Sequence, residues 1–183
     1  MTEEIIIAGF GGQGVLSMGQ VICYGGIMQG MEVSWMPSYG PEMRGGTANC
    51  TAIISNKTIS SPVLTKYDTA IVLNQPSMDK FENSVKPGGL LIYERNGMVR
   101  KPVRADINIW SIGAYEESLK MNNIKVFNMI VVGGFLKVKP VIALENVIKG
   151  LAKVLPERYH NLIPLNQEAL MNGMKIISLE KAV

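Results

Sequence analysis

The spacing of apolar residues changes along the chain, and each change marks an element. Glu4 to Gly9 ("EIIIAG") is apolar and β-branched at consecutive positions. Such a run reads as a strand buried on both faces, as strands inside a parallel sheet are. From Gln13 to Gln29 the period becomes helical, with Val15, Met18 and Ile22 on one row and Val21 and Met28 on another. Gly25 and Gly26 inside that helix cost about 1 kcal/mol each relative to Ala, so they point to close approach by a neighbouring strand or subunit. Glu32 to Met36 and "TANCTAIIS" from Thr47 read as further strands. "DTAIVLNQ" from Asp68 is another buried strand, with a polar end at Asn74 and Gln75. A short helix follows from Pro76, with proline in its first turn. "PGGLLIYE" and "DINIWSIGA" supply two more strands. Helical spacing then runs through Phe127 to Lys137, Val141 to Lys153 and Gln167 to Leu179, separated by Pro140, Pro156 and Pro164, with Asn166 as the expected N-cap of the last.

Strands alternate with helices first, and helices accumulate at the end. The pattern predicts an α/β fold: a Rossmann-like, doubly wound, mainly parallel sheet with helices on both faces and extra C-terminal helices. With 183 residues and no linker-like stretch, residues 1–183 are expected to form a single domain.

Composition narrows the function classes. The charged fraction is only 18% against 47% hydrophobic, a balance that suits a subunit burying surface against partners. A net charge of +3, with Arg95, Arg100, Lys101 and Arg104 as the densest basic stretch and no aromatic interleaving, does not suit nucleic-acid binding. Those four residues read as a solvated loop, or as a local patch for an anionic small molecule. The longest apolar run, "MIVVGGFL" from Met129, is far shorter than the roughly 20 residues of a membrane span. The acidic start "MTEE" lacks the basic opening of a signal peptide. With two cysteines, Cys23 and Cys50, the expected location is the cytoplasm. Two cysteines without a CxxC, and His160 as the single histidine, lead to the expectation that the chain holds no iron–sulfur cluster or histidine metal site of its own.

Gly9-Phe10-Gly11-Gly12-Gln13-Gly14 matches G-x-G-x-x-G between a strand and a helix. Glycines let backbone N–H groups approach a phosphate, and the helix N-terminus adds positive potential. The same loop also serves as a plain strand-to-helix turn. A dinucleotide site would place an acid at the carboxyl end of the second strand, but Glu32 stands at that strand's start. No G-x-S-x-G occurs, and no P-loop lysine follows the glycines. His160 reads as a surface or capping residue, Cys23 and Cys50 as buried, and Trp35 and Trp110 as packing residues. No complete active site is legible.

A second glycine-rich stretch, "SYGPEMRGGTANC" from Ser38, carries Glu42 and Arg44. Together with "AGFGGQGV" from Ala8 it resembles the gamma subunit of 2-oxoacid:ferredoxin oxidoreductases. The resemblance extends to "NMIVVGGFLK" from Asn128 and to a closing N-x-x-A-x-x-x-G pattern at Asn166, Ala169 and Gly173. It implies a non-catalytic subunit of an enzyme that oxidatively decarboxylates a 2-oxoacid to acyl-coenzyme A and passes electrons to ferredoxin. Thiamine diphosphate and Mg would belong to alpha and beta subunits, and iron–sulfur clusters to a ferredoxin-like delta part or the beta part. This chain would help handle coenzyme A; whether the isolated chain is a homodimer stays open. Carried over by position, the candidate site is Gly9, Gly11, Gly12, Gln13 and Gly14 with Ser38, Tyr39, Gly40, Pro41, Glu42, Arg44, Gly45, Gly46 and Thr47. Met43 departs from the small or branched apolar residue usual there. Two other readings stay open: an autonomous nucleotide-binding oxidoreductase, and a subunit whose glycine loops serve only assembly.

Overall fold

The computed structural model describes residues 1–38 and 47–180. These residues hold one sheet of seven strands: β1 (Thr2–Phe10), β2 (Glu32–Ser38), β3 (Thr47–Ser55), β4 (Tyr67–Val72), β5 (Val85–Glu94), β6 (Asn108–Ile112) and β7 (Ser178–Leu179). The α-helices are α1 (Val15–Met28), α2 (Gln75–Phe81), α3 (Ala114–Lys120), α4 (Phe127–Val138), α5 (Leu144–Val154) and α6 (Ile163–Ile176). The spatial order is β2-β3-β1-β4-β5-β6-β7. β1, β4, β5 and β6 run parallel. β3 is antiparallel to both of its neighbours, and β7 is antiparallel to β6.

The place of β3 departs from the simple doubly wound order, in which the second strand lies beside the first. Only residues 39–46 join β2 to β3. A parallel crossover takes a dozen residues or more, so β3 must turn back, and it does so between β2 and β1. Its burial pattern looks parallel because a central strand covered on both faces reads alike in either direction.

The two faces of the sheet are unequally covered. Ile5, Ile7, Ile71 and Ile92 point to the face packed by α1, α4, α5 and α6, while Ile6, Ala8, Val72 and Leu91 point to a smaller core closed by Met78 and Phe81 of α2. α1 is buried on most sides because it lies between β3 and α5. Gly25 and Gly26 make this fit: a Cβ at Gly25 would touch Val147 of α5, and one at Gly26 would touch Val33 and Ile54 of the adjacent strands. α4 crosses α6 at still closer range. A Cβ at Gly133 would run into the carbonyl of Leu170, and one at Gly173 into the carbonyl of Ile130.

Three features differ from expectation. α6 begins at Ile163, so Asn166 lies inside it and its Nδ2 donates to the Leu162 carbonyl at 2.8 Å. The segment after α6 forms β7 instead of extending the helix. α3 was not expected. Its N-cap is Gly113, which offers no side chain, and Glu94 at the end of β5 accepts from Ala114 N at 2.8 Å in its place. His160 is a capping residue as read: its Nε2 lies 3.0 Å from the carbonyls of Ala152 and Leu155, at the end of α5. Trp35 and Trp110 pack against the larger core. The basic stretch is largely neutralised, since Arg100 pairs with Asp79 and Glu82, Lys101 with Glu180, and Arg104 with Asp106.

Candidate functional site at the carboxyl edge of the sheet

β1 ends at Phe10, and the chain turns through Gly12 (φ +92°) and Gly14 (φ +75°) before α1 begins. Both φ values lie where a Cβ is strained and glycine is not. Gln13 folds back over the turn, its Oε1 accepting from Phe10 N at 2.6 Å. Gly14 is the N-cap of α1, so no side chain caps that helix, and no acid stands in its first turn. The N-terminus of α4 lies alongside. It also has no side-chain cap from its N-cap residue and no acid in its first turn.

These two helix starts border a cavity of about 320 Å³, lined by Gly12, Gln13, Gly14, Tyr115, Lys125 and Asn128, with Ile124 and Phe127 beside them. Free N–H groups give the start of α1 roughly half a positive charge, and Lys125 adds a full one; at α4, Phe127 N already donates to the Ile124 carbonyl and Met129 N to Asn128 Oδ1. Among the described residues no acid lines this cavity. The arrangement suits a phosphate or a similar anion. Phe10, Tyr115 and Ile124 are exposed near it, which gives the charged hollow an apolar rim.

The structure therefore brings together Gly9, Gly11, Gly12, Gln13 and Gly14 at one edge. The second motif starts and ends at that same edge. Thr47 pairs with Phe10, and Ser38 pairs with Asn49. Tyr39, Gly40, Pro41, Glu42, Arg44, Gly45 and Gly46 lie outside the described residues. Glu32 sits at the opposite edge: it pairs with Ser55, which also pairs with Thr2. A ribose-binding acid cannot come from there.

Cys50, at the end of the second motif, is buried behind the loop. Its Sγ lies 3.4 Å from the Val15 carbonyl, and Gly19 lacks the Cβ that would collide with that sulfur and with the Trp35 indole. Burial pushes the Cys50 thiol up to about 12, and Cys23 likewise to about 12. Neither thiol is poised as a nucleophile or a cluster ligand. No group of three or more His, Cys, Asp or Glu among the described residues could hold a metal ion, and no described helix is long and apolar enough to cross a membrane.

Several lining residues were not read from the sequence: Lys125, Asn128, Tyr115 and Phe127. They come from segments far along the chain, and the signal in the sequence for this edge was the glycine loop itself.

An open α/β sheet with a glycine loop between β1 and α1 at its carboxyl edge defines a Rossmann-like subunit. The chain belongs to the pyruvate ferredoxin/flavodoxin oxidoreductase family, whose profile matches residues 4–176. It is 48% identical over 91 residues to ketoisovalerate oxidoreductase subunit VorA of Methanothermobacter thermautotrophicus, a match taking in 50% of this chain and 19% of that protein. The chain thus spans about a fifth of that relative's length. Its fold is similar to the gamma subunit of a keto/oxoacid ferredoxin oxidoreductase from Geobacter sulfurreducens PCA, with a TM-score of 0.83, 25% identity and 96% of both chains covered. It is also similar to 2-oxoglutarate:ferredoxin oxidoreductase from Magnetococcus marinus, solved with 2-oxoglutarate, coenzyme A and succinyl-CoA bound. That match has a TM-score of 0.84 and 20% identity, and covers 95% of this chain and 30% of the other.

Proposed function

We propose that this chain acts, as one domain, as the gamma subunit of a multi-subunit 2-oxoacid:ferredoxin oxidoreductase. It assembles with thiamine-binding alpha and beta subunits and a ferredoxin-like delta part, and ferredoxin takes the electrons. The observation that carries the reading is the cavity of Gly12, Gly14, Lys125 and Asn128, where two helix starts and a lysine meet at the ligand-binding edge of the sheet. Coenzyme A is the polyanion this edge suits, and the Magnetococcus marinus relative was solved with it. In this role the chain holds phosphate groups through backbone N–H groups and Lys125. The chemistry at the 2-oxoacid belongs to the partner subunits, and so does the choice of 2-oxoacid. The site proposed includes Ser38 to Thr47, which leaves the sheet at the end of β2 and rejoins it beside Phe10.

Co-expression with the partner subunits tests both halves of this proposal. The complex should co-purify, and Lys125→Glu should raise the KM for coenzyme A about tenfold while kcat at saturation changes little. A chain recovered alone, or a Lys125→Glu complex with an unchanged KM, would refute it. Arg44→Ala separates ligand binding from assembly: normal assembly with lost coenzyme A-dependent turnover excludes a role in assembly alone. NADH binding with turnover by the lone chain would favour an autonomous oxidoreductase, a reading that the position of Glu32 opposes.

A further inference from the structure

β2 closes the sheet on one side, and among the described residues no strand lies beyond it. The direction of its free backbone groups follows from its neighbours. The Ala8 carbonyl accepts from Leu73 N, just past β4, so Ala8 turns its backbone groups toward β4. Alternation turns those of Ile5 and Ile7 toward β3. Their β3 partners are Ala52 and Cys50, so Thr51 and Ile53 turn the other way, to Met36 and Ser34 of β2. Val33, Trp35 and Pro37 therefore point their backbone groups out of the sheet. Proline suits such a place, having no N–H to offer.

Exposed strand edges are normally blunted by charged side chains. β2 carries none after Glu32, and α1 carries none at all. α1 straddles β2 and β3: a Cβ on Gly19 would touch both Trp35 and Cys50, and one on Gly26 both Val33 and Ile54. Val15, Met18 and Ile22 enter the core, and Gly25 meets Val147 of α5. The remaining flank of α1, Leu16, Gln20, Tyr24 and Ile27, overhangs the β2 edge, with Tyr24 38% and Ile27 46% exposed. An unpaired strand edge and an uncharged helix flank thus lie side by side.

We propose that a second copy of this chain docks here, β2 against β2, about a two-fold axis through Trp35. Antiparallel pairing about Trp35 overlaps the whole strand. The two Trp35 residues exchange both backbone bonds, and each Val33 N–H donates to the Pro37 carbonyl of the other copy. Glu32 falls opposite Ser38, so no like charges meet. The helix flank selects a copy of this chain over a bare strand. Strands lie about 4.8 Å apart, so an α1 above the gap between β2 and β3 stands about 9.6 Å from its two-fold mate. Helices pack at about that distance, 8–10 Å. Gln20, next to the Gly19 that covers Trp35, then faces Gln20 of the other copy, and Tyr24 faces Leu16. A stable interface buries about 800 Å² per partner. That is more than a seven-residue strand edge supplies, and the α1 flank provides the rest. The glycine loops of the two copies come to opposite ends of the joined sheet, so both stay open. The inference does not depend on what those loops bind.

Sedimentation of the full chain at micromolar concentration tests the assembly. The expected mass is twice the 20.0 kDa of one chain. Gln20→Lys sets two like charges across the axis and should return the mass to that of one chain. Gln20→Cys, oxidised with copper phenanthroline in air, should give a disulfide-linked dimer. Cys23 and Cys50 are buried, so the parent chain should give none. Val103→Cys, at an exposed position near β6, should link at least tenfold more slowly than Gln20→Cys. The linking rate decides whether or not Gln20→Lys folds: a tenfold advantage at Gln20 supports the proposal, and equal rates refute it. A parent chain with the mass of one chain also refutes it. Protection of the β2 amides from hydrogen exchange only after alpha and beta subunits are added would give this edge to those subunits and overturn the pairing of two copies.

Discussion

Gly14 and Asn128 meet where α1 and α4 both begin. A Cβ placed on Gly14 would lie 2.6 Å from the Asn128 Nδ2, so the two helix starts approach with no space for a side chain. The glycine is required twice here, once by its left-handed φ and once by this contact.

Gly14→Ala should therefore destabilise the chain. The left-handed backbone alone costs about 1–2 kcal/mol, and displacement of Asn128 adds to it. At this size each kcal/mol lowers Tm by about 2–4 °C, so a fall of at least about 4 °C is expected in a thermal melt. Pyrophosphate affinity should fall in parallel, because the two helix starts would separate.

Gly133→Ala should be more damaging, although Gly133 lies away from the cavity. Overpacking typically costs about 1–3 kcal/mol. Here the obstruction is the Leu170 backbone carbonyl, which cannot rotate aside, so a loss of about 3 kcal/mol is expected from denaturant midpoints. An unchanged midpoint would mean that α4 and α6 do not cross at this distance.

Buried and exposed carboxyls set opposite slopes of stability with pH. Burial raises Glu94 above its ordinary 4.5, and Glu3 likewise, despite the Thr69 hydroxyl and Lys139 beside it. A raised carboxyl binds its proton more tightly in the folded state, so its contribution is present below the unfolded value and is lost as pH rises through the folded one. Side-chain hydrogen bonds lower Asp79 (from Gln75, then Arg100) and Asp106 (from Arg104), and those contributions are lost as pH falls. Glu94→Gln should therefore gain stability relative to the parent as pH rises above about 4.5. Paired urea titrations at pH 4 and pH 8 would show it, and a pH-independent difference would contradict it.

Both thiols should be silent in the folded protein. With Cys23 and Cys50 buried and pushed up to about 12, a thiol-specific disulfide reagent at pH 8 should react only at the rate of unfolding. In denaturant both cysteines should react at once. Rapid reaction of either in the native chain would contradict the burial.

The parts legible in the sequence were those whose causes are local. "EIIIAG" could only be a doubly covered strand, and the glycine loop declared itself by spacing. The features that escaped notice are held by distant partners. α3 starts without a cap of its own because Glu94, twenty positions earlier, supplies it. β7 exists because residues after α6 reach Trp110 and Ser111. Asn166 looked like a cap because the proline before it suggested a break, but Pro164 instead occupies the first turn of α6. In the candidate site the loop glycines were found, whereas Lys125 and Asn128 needed the fold to bring them there.

α4 carries Asn128 at the cavity and Gly133 at its crossing with α6. Five residues of helix span about 7.5 Å, so a rigid rod of little more than one turn joins the two contacts. The depth to which α6 seats against α4 thus sets where Asn128 stands. A screen for weakened ligand affinity should then return Gly133 and Gly173, residues that a map of ligand contacts would omit.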